Sequence, residues 1–166
     1  MMAPWLERAV ALAEEAGRAI MQVYQRADLE VTHKADDSPV TAADLAAHRV
    51  IAEGLAALTP EIPLLSEESA HLDWEARRSW SRFWLVDPLD GTREFIRRND
   101  EFTVNIALID AGQPVLGVVH APVTGETWLG VPGQGAWHQR PGHGRRSIHT
   151  RSPQSPVTLV ASRRHG

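Results

Sequence analysis

Cysteine is absent from all 166 residues. That excludes disulfides and thiolate metal sites, so any bound metal must be held by oxygen or imidazole, donors that suit a hard cation. Long apolar runs are absent too. Nowhere do about eighteen apolar residues stand together, and Met1 to Arg8 lack the charged start and unbroken apolar stretch of a secretory signal. The expectation is a soluble, cytoplasmic protein with no transmembrane segment. Neither sign of charge dominates: 17 basic against 21 acidic side chains leave a formal charge of -4, which argues against wholesale nucleic-acid binding. An anionic ligand must therefore be handled locally. Internal repeats and low-complexity segments are also missing, and the length suits one domain burying roughly 70% of its unfolded surface.

Helical spacing of Trp5, Leu6, Ala9, Val10, Leu12, Ala13, Ala16, Ile20, Val23 and Tyr24 predicts a first helix over 4–26, with Pro4 suited to its first turn. Thr41-Ala42-Ala43-Asp44 has the form of a capping box and predicts a second helix from 41 to 58, with Leu45, Val50, Ile51, Leu55 and Leu58 on its buried face. Ile62 to Leu65 reads as a strand delivering Ser66-Glu67-Glu68, and residues 74–81 as a short helix. The run Phe83-Trp84-Leu85-Val86 suits a strand buried on both faces. A meander follows at 102–109, 115–120, 127–129 and 136–138; residues 140–151 read as a basic loop and 157–161 as one more strand. The pattern is α/β, with two long helices packed on a mainly antiparallel sheet.

Asp87 and Asp90 stand three apart around Pro88 at the end of a strand, where a turn lets both converge. Two ionised carboxylates about 4 Å apart repel by roughly 1 to 4 kcal/mol, so something positive should lie between them. Mg²⁺ needs only one or two carboxylates per ion plus a substrate phosphate, and Glu67 at another strand end is placed to add a ligand. Gly91 and Thr92 open a helical turn whose free N–H groups face an anion. Two ions about 3.5 to 4 Å apart suit in-line phosphate hydrolysis. Each piece also has a plain reading. An Asp-x-x-Asp-Gly string is by itself usually a turn with self-capping aspartates. Glu67 alone is a solvated charge, Thr41 and Asp44 alone a helix cap, and Lys34 alone a loop lysine.

The full string Trp84-Leu85-Val86-Asp87-Pro88-Leu89-Asp90-Gly91-Thr92 resembles the signature of the inositol monophosphatase superfamily. It is flanked in order by Lys34-Ala35-Asp36-Asp37-Ser38-Pro39-Val40-Thr41-Ala42-Ala43-Asp44 and Leu65-Ser66-Glu67-Glu68, each similar to the family's own elements. The extension Arg93-Glu94-Phe95-Ile96 through Leu108 is more similar to the 3'(2'),5'-bisphosphate nucleotidase branch than to inositol phosphatases.

The resemblance implies that Glu67, Asp87 and Asp90 bind two or three Mg²⁺ ions, with the carbonyl of Leu89 completing one shell. It implies Asp44 and Thr92 as the pair that orients and deprotonates the attacking water, and Glu67, Leu89, Asp90, Gly91 and Thr92 as phosphate contacts. Lys34 and Asp36 would lie near the site. The implied reaction is removal of the 3'-phosphate from 3'-phosphoadenosine 5'-phosphate, giving AMP, in sulfur assimilation and nucleotide recycling, with lithium inhibition. The resemblance also allows a peripheral place at the inner membrane, as in related bacterial proteins.

The implied fold is the N-terminal part of a layered α/β/α/β/α sandwich. Residues 1–166 would form its metal-binding α+β domain, with the family's C-terminal α/β domain, and the Trp-Asp element that supplies a second-metal aspartate, absent. Alternatives are an inositol or fructose phosphate phosphatase and a catalytically incomplete metal- and phosphate-binding fragment. Self-association through surface left by the missing half is a further expectation. His138, His143, His149 and His165 read as surface positions, Arg145-Arg146 as a solvated basic hairpin, and the six tryptophans as packing residues, with Trp128 and Trp137 exposed if nothing covers them.

Overall fold

The computed structural model describes residues 3–26, 39–69 and 73–159. Lys34 and Asp36 lie outside these residues. Helix α1 (Ala3–Tyr24) buries Leu6, Ala9, Val10, Leu12, Ala13, Ala16, Ile20 and Tyr24 along one stripe, as its periodicity predicts. Helix α2 (Pro39–Leu58) starts two residues before the expected capping box, with Pro39 rather than Thr41 in the leading position, where a missing N–H costs nothing. Ala43, Ala47, Ile51 and Leu55 recur every fourth residue and pack the inner face of α2. Leu45 falls off this stripe and is 47% exposed, against the expectation that it is buried.

Among the described residues a single sheet follows, with its seven strands in chain order. These are β1 (Leu64–Ser66), β2 (Arg82–Asp90), β3 (Thr103–Asp110), β4 (Gln113–Ala121), β5 (Glu126–Val131), β6 (Gly135–Arg140) and β7 (Gly144–Ile148). Strand β1 runs parallel to β2 and every other pair is antiparallel. Between β1 and β2 lie a 3-10 turn (Glu67–Ser69) and helix α3 (Trp74–Arg77), four residues long where eight were expected. Helix α4 (Thr92–Arg97) links β2 to β3.

Three strand readings change. Residues 144–148 pair with β6 as an edge strand, where a loop was expected; Arg145 is held there by Glu7 of α1 at 2.6 Å. Residues 157–159 form no strand, and Val157 and Leu159 are exposed without a pairing partner. The run Phe83 to Val86 is buried on one face only. Trp84 and Val86 point at the helices, while Leu85 is 43% exposed.

The reason is the layering. Both long helices lie on the same face of the sheet, covering Val104, Ile106, Leu108, Leu116, Val118, Leu129 and Val131. Each such side chain contributes about 1.5 to 3 kcal/mol on burial. The opposite face carries Leu85, Val119 and Trp128, all partly open to solvent, over a groove of about 820 Å³. Trp137, expected to share that exposure, packs instead against the helix-side core. No helix among the described residues is long and apolar enough to cross a membrane.

Candidate active site

Strand β2 carries the signature, and its geometry depends on Pro88. Side chains alternate across a strand, so residues three apart, such as Asp87 and Asp90, should point to opposite faces. They do not. Asp87 pairs with Asn105 and Asp90 with Thr103, so three steps on β2 match two on β3. This is a bulge, and it contains Pro88, which cannot donate to a ladder. The extra residue brings both carboxylates to the same side, where Asn105 donates to Asp90 at 3.2 Å and is itself held by Thr103 at 3.2 Å.

The parallel neighbour supplies the next acid. Ser66 pairs with Val86, so the residues that follow on the two strands are Glu67 and Asp87, side by side at the strand ends. From there the Glu67 carboxyl acts on that of Asp87. Burial, then the charges of Glu67 and Asp90, push the Asp87 carboxyl up to about 6. Asp44, from the first turns of α2, joins from the helix side with 7% of its surface exposed. Burial, the Glu68 carboxyl and the charges of Asp87 and Glu67 raise it to about 8.

Glu67, Asp87 and Asp90 therefore stand at neighbouring positions on adjacent strands, Asp44 approaches from the helix, and Glu68, which the sequence reading gave no role, lies beside Asp44. Its position beside Glu67 in a tight turn was the available signal. Thr92 heads α4, exposed, and among the described residues no hydrogen bond joins it to Asp44, although α2 and α4 touch. Leu89 is 1% exposed within the bulge. Gly91 is required where it stands: at φ 95° it leads into α4, and a Cβ would meet the carbonyl of Glu101 at 2.9 Å. His138, expected on the surface, is instead 6% exposed, stacked on Trp128 and bonded to Glu126 at 2.7 Å.

Among the described residues, no three acidic or histidine side chains converge closely enough to form a ready-made cation cage. The arrangement is of pairs, Glu67 with Asp87 and Asp44 with Glu68. Asp44 Oδ1 and Asp87 Oδ1 are buried without a hydrogen-bond partner, and no ion pair among the described residues involves these carboxylates. Orphaned, charge-crowded oxygens of this kind fit a hard divalent ion, which takes one or two carboxylates and keeps waters. Arg77, whose Nε is also buried without a partner, lines the groove shared by Glu67 and Asp87.

The inositol monophosphatase family's sequence profile matches residues 1–165. The chain is 56% identical over 161 residues to the 3'(2'),5'-bisphosphate nucleotidase CysQ of Salmonella typhimurium, covering 96% of this chain and 64% of that protein. It is 53% identical to the protein of the same name from Escherichia coli K12, again over 64% of its length. Among solved structures, CysQ from Bacteroides thetaiotaomicron superposes with a TM-score of 0.72 at 43% identity, covering 81% of this chain and 48% of that one. An inositol monophosphatase from Zymomonas mobilis superposes with a TM-score of 0.75 at 35% identity, covering 92% and 55%. The chain thus spans less than two thirds of the length of these relatives.

Proposed function

The chain belongs to the inositol monophosphatase family, and on that premise we propose that it carries the catalytic half of a metal-dependent 3'(2'),5'-bisphosphate nucleotidase. The substrate would be 3'-phosphoadenosine 5'-phosphate and the products AMP and inorganic phosphate. The observation that carries this reading is the bulge at Pro88, which turns Asp87 and Asp90 to one side beside Glu67. Similarity to nucleotidases at 53 to 56% identity favours this substrate over inositol or fructose phosphates.

In this reading Glu67, Asp87 and Asp90 hold Mg²⁺ with the Leu89 carbonyl, two or three ions in all. When bound, the ions would polarise the phosphoryl group and lower the pKa of a coordinated water. The protein's own residues do the rest. Asp44 is buried beside this position, and as a carboxylate, the form that cations held at Glu67, Asp87 and Asp90 would favour, it would accept the proton of the attacking water together with Thr92. Glu67, Leu89, Asp90, Gly91 and Thr92 line the phosphate position, and the fixed turn at Gly91 holds them in place. Acting on a soluble nucleotide, the protein would work in the cytoplasm. The exposed Leu85, Val119 and Trp128 also support self-association of the chain.

The test is phosphate release from 3'-phosphoadenosine 5'-phosphate, inositol 1-phosphate and fructose 1,6-bisphosphate in Mg²⁺, for the wild type and Asp87→Asn. Preference for the nucleotide, abolished by the substitution, is the expected result. Release unaffected by Asp87→Asn would falsify the assignment.

A further inference from the structure

Two approaches, one helical turn apart, set α2 against the end of β1 and the turn that follows it. Asp44 lies near the carboxyl of Glu68, and four residues on, His48 Nδ1 makes a hydrogen bond of 2.9 Å with Ser66 Oγ. Residues i and i+4 share a helix face, so both reach the same short segment. Ser66 is 2% exposed, points to the helix side of β1 and is followed directly by Glu67. The strand is only three residues long, and among the described residues it pairs with β2 alone. Three ladder pairs hold a segment of that length weakly in register.

We propose that His48 is a positioning residue for the cation-holding carboxylates, acting through Ser66 to hold Glu67 level with Asp87. The inference rests on the metal-dependent reading of the same site. Without the imidazole, β1 keeps its ladder to β2 but loses its side-chain anchor to α2. Glu67 then moves relative to both Asp87 on its own sheet and Asp44 on the helix. A further tie between α2 and the sheet lies at the opposite end of the helix, where Trp84 donates its indole N–H to Thr59 at 2.9 Å. That contact stabilises the same packing far from the carboxylates.

The experiment measures Mn²⁺ affinity by calorimetry, and thermal stability, for the wild type and for His48→Ala, His48→Asn, Ser66→Ala, the double variant His48→Ala with Ser66→Ala, and Thr59→Val. An asparagine amide can stand where Nδ1 stands, so it should restore the contact. Expected are about tenfold weaker binding in His48→Ala, the size usual for groups that orient metal ligands. Recovery in His48→Asn, no further loss in the double variant and unchanged affinity in Thr59→Val despite its lower stability complete the expected pattern. Wild-type affinity in His48→Ala overturns the proposal, as does equal loss in His48→Ala and His48→Asn. A wild type that binds no Mn²⁺ overturns the metal reading itself and this inference with it.

Discussion

Leu12 of α1 lies across the bare Cα of Gly54 in α2, so close that a Cβ on residue 54 would stand 2.1 Å from Leu12 Cδ2. Leu12 is 1% exposed and cannot swing into solvent. Gly54→Ala should therefore destabilise the chain by about 1 to 3 kcal/mol through overpacking, even though alanine is the better helix former. Denaturant melts check it, and pairing the change with Leu12→Ala should recover part of the loss.

The crowded carboxylates make the metal-free protein sensitive to pH. Asp44 and Asp87 have folded values raised to about 8 and about 6, above the ordinary value of 3.8. Between the ordinary and raised values the folded state holds protons that the unfolded state releases. Stability of the metal-free chain should then fall as pH climbs from about 4 to 8, the reverse of a salt-bridged acid. Asp44→Asn should stabilise the metal-free chain at pH 8.5 by about 1 to 3 kcal/mol, the cost of an uncompensated buried group. Melts in a chelator across that range, with and without the substitution, decide the sign.

Tyr24 at the end of α1 accounts for the conformation of the loop after α4. Its hydroxyl donates to Asp100 at 2.7 Å, and Arg98 donates to its carbonyl at 2.5 Å while lying 5.0 Å over its ring. Arg98 and Asp100 both sit at positive φ, 54° and 68°, where side chains are strained. Tyr24→Phe keeps the ring packed on Phe95 and Phe102 but removes the hydroxyl. A loss of about 1 kcal/mol is expected, with faster amide exchange over 98–101.

The open sheet face should drive concentration-dependent association. Sedimentation of the wild type should show oligomers that dissociate when Leu85→Lys and Val119→Lys place charge on the patch. A monomer at every concentration contradicts the self-association proposed here.

The long helices were legible because their apolar residues repeat along a single stripe, and the nearness of Glu67 to Asp87 because each follows an apolar run that forms one of two adjacent strands. Leu45 misled because an apolar residue beside a stripe looks like part of it, and only the crossing with α1 decides which positions face inward. Leu85 misled for a related reason. A continuous apolar run does not say which of its two faces is covered, and here the helices cover only the side of Trp84 and Val86. Strand β7 was hidden by its arginines, since edge strands carry charge and Arg145 is recruited by Glu7, 138 residues away in sequence. The bulge was written in Pro88, but its consequence, Asp87 and Asp90 on one side, appears only once Asn105 and Thr103 are known as their partners. His138 could not be placed without the Trp128 ring that covers it.

Crystals of the chain soaked in Mn²⁺, with the anomalous signal mapped, test the central claim most directly. An anomalous peak in contact with the carboxylates of Glu67 and Asp87, lost in Asp87→Asn crystals, is the result expected here. Density for Mn²⁺ elsewhere on the molecule, with Glu67 and Asp87 bonded only to each other, would contradict it.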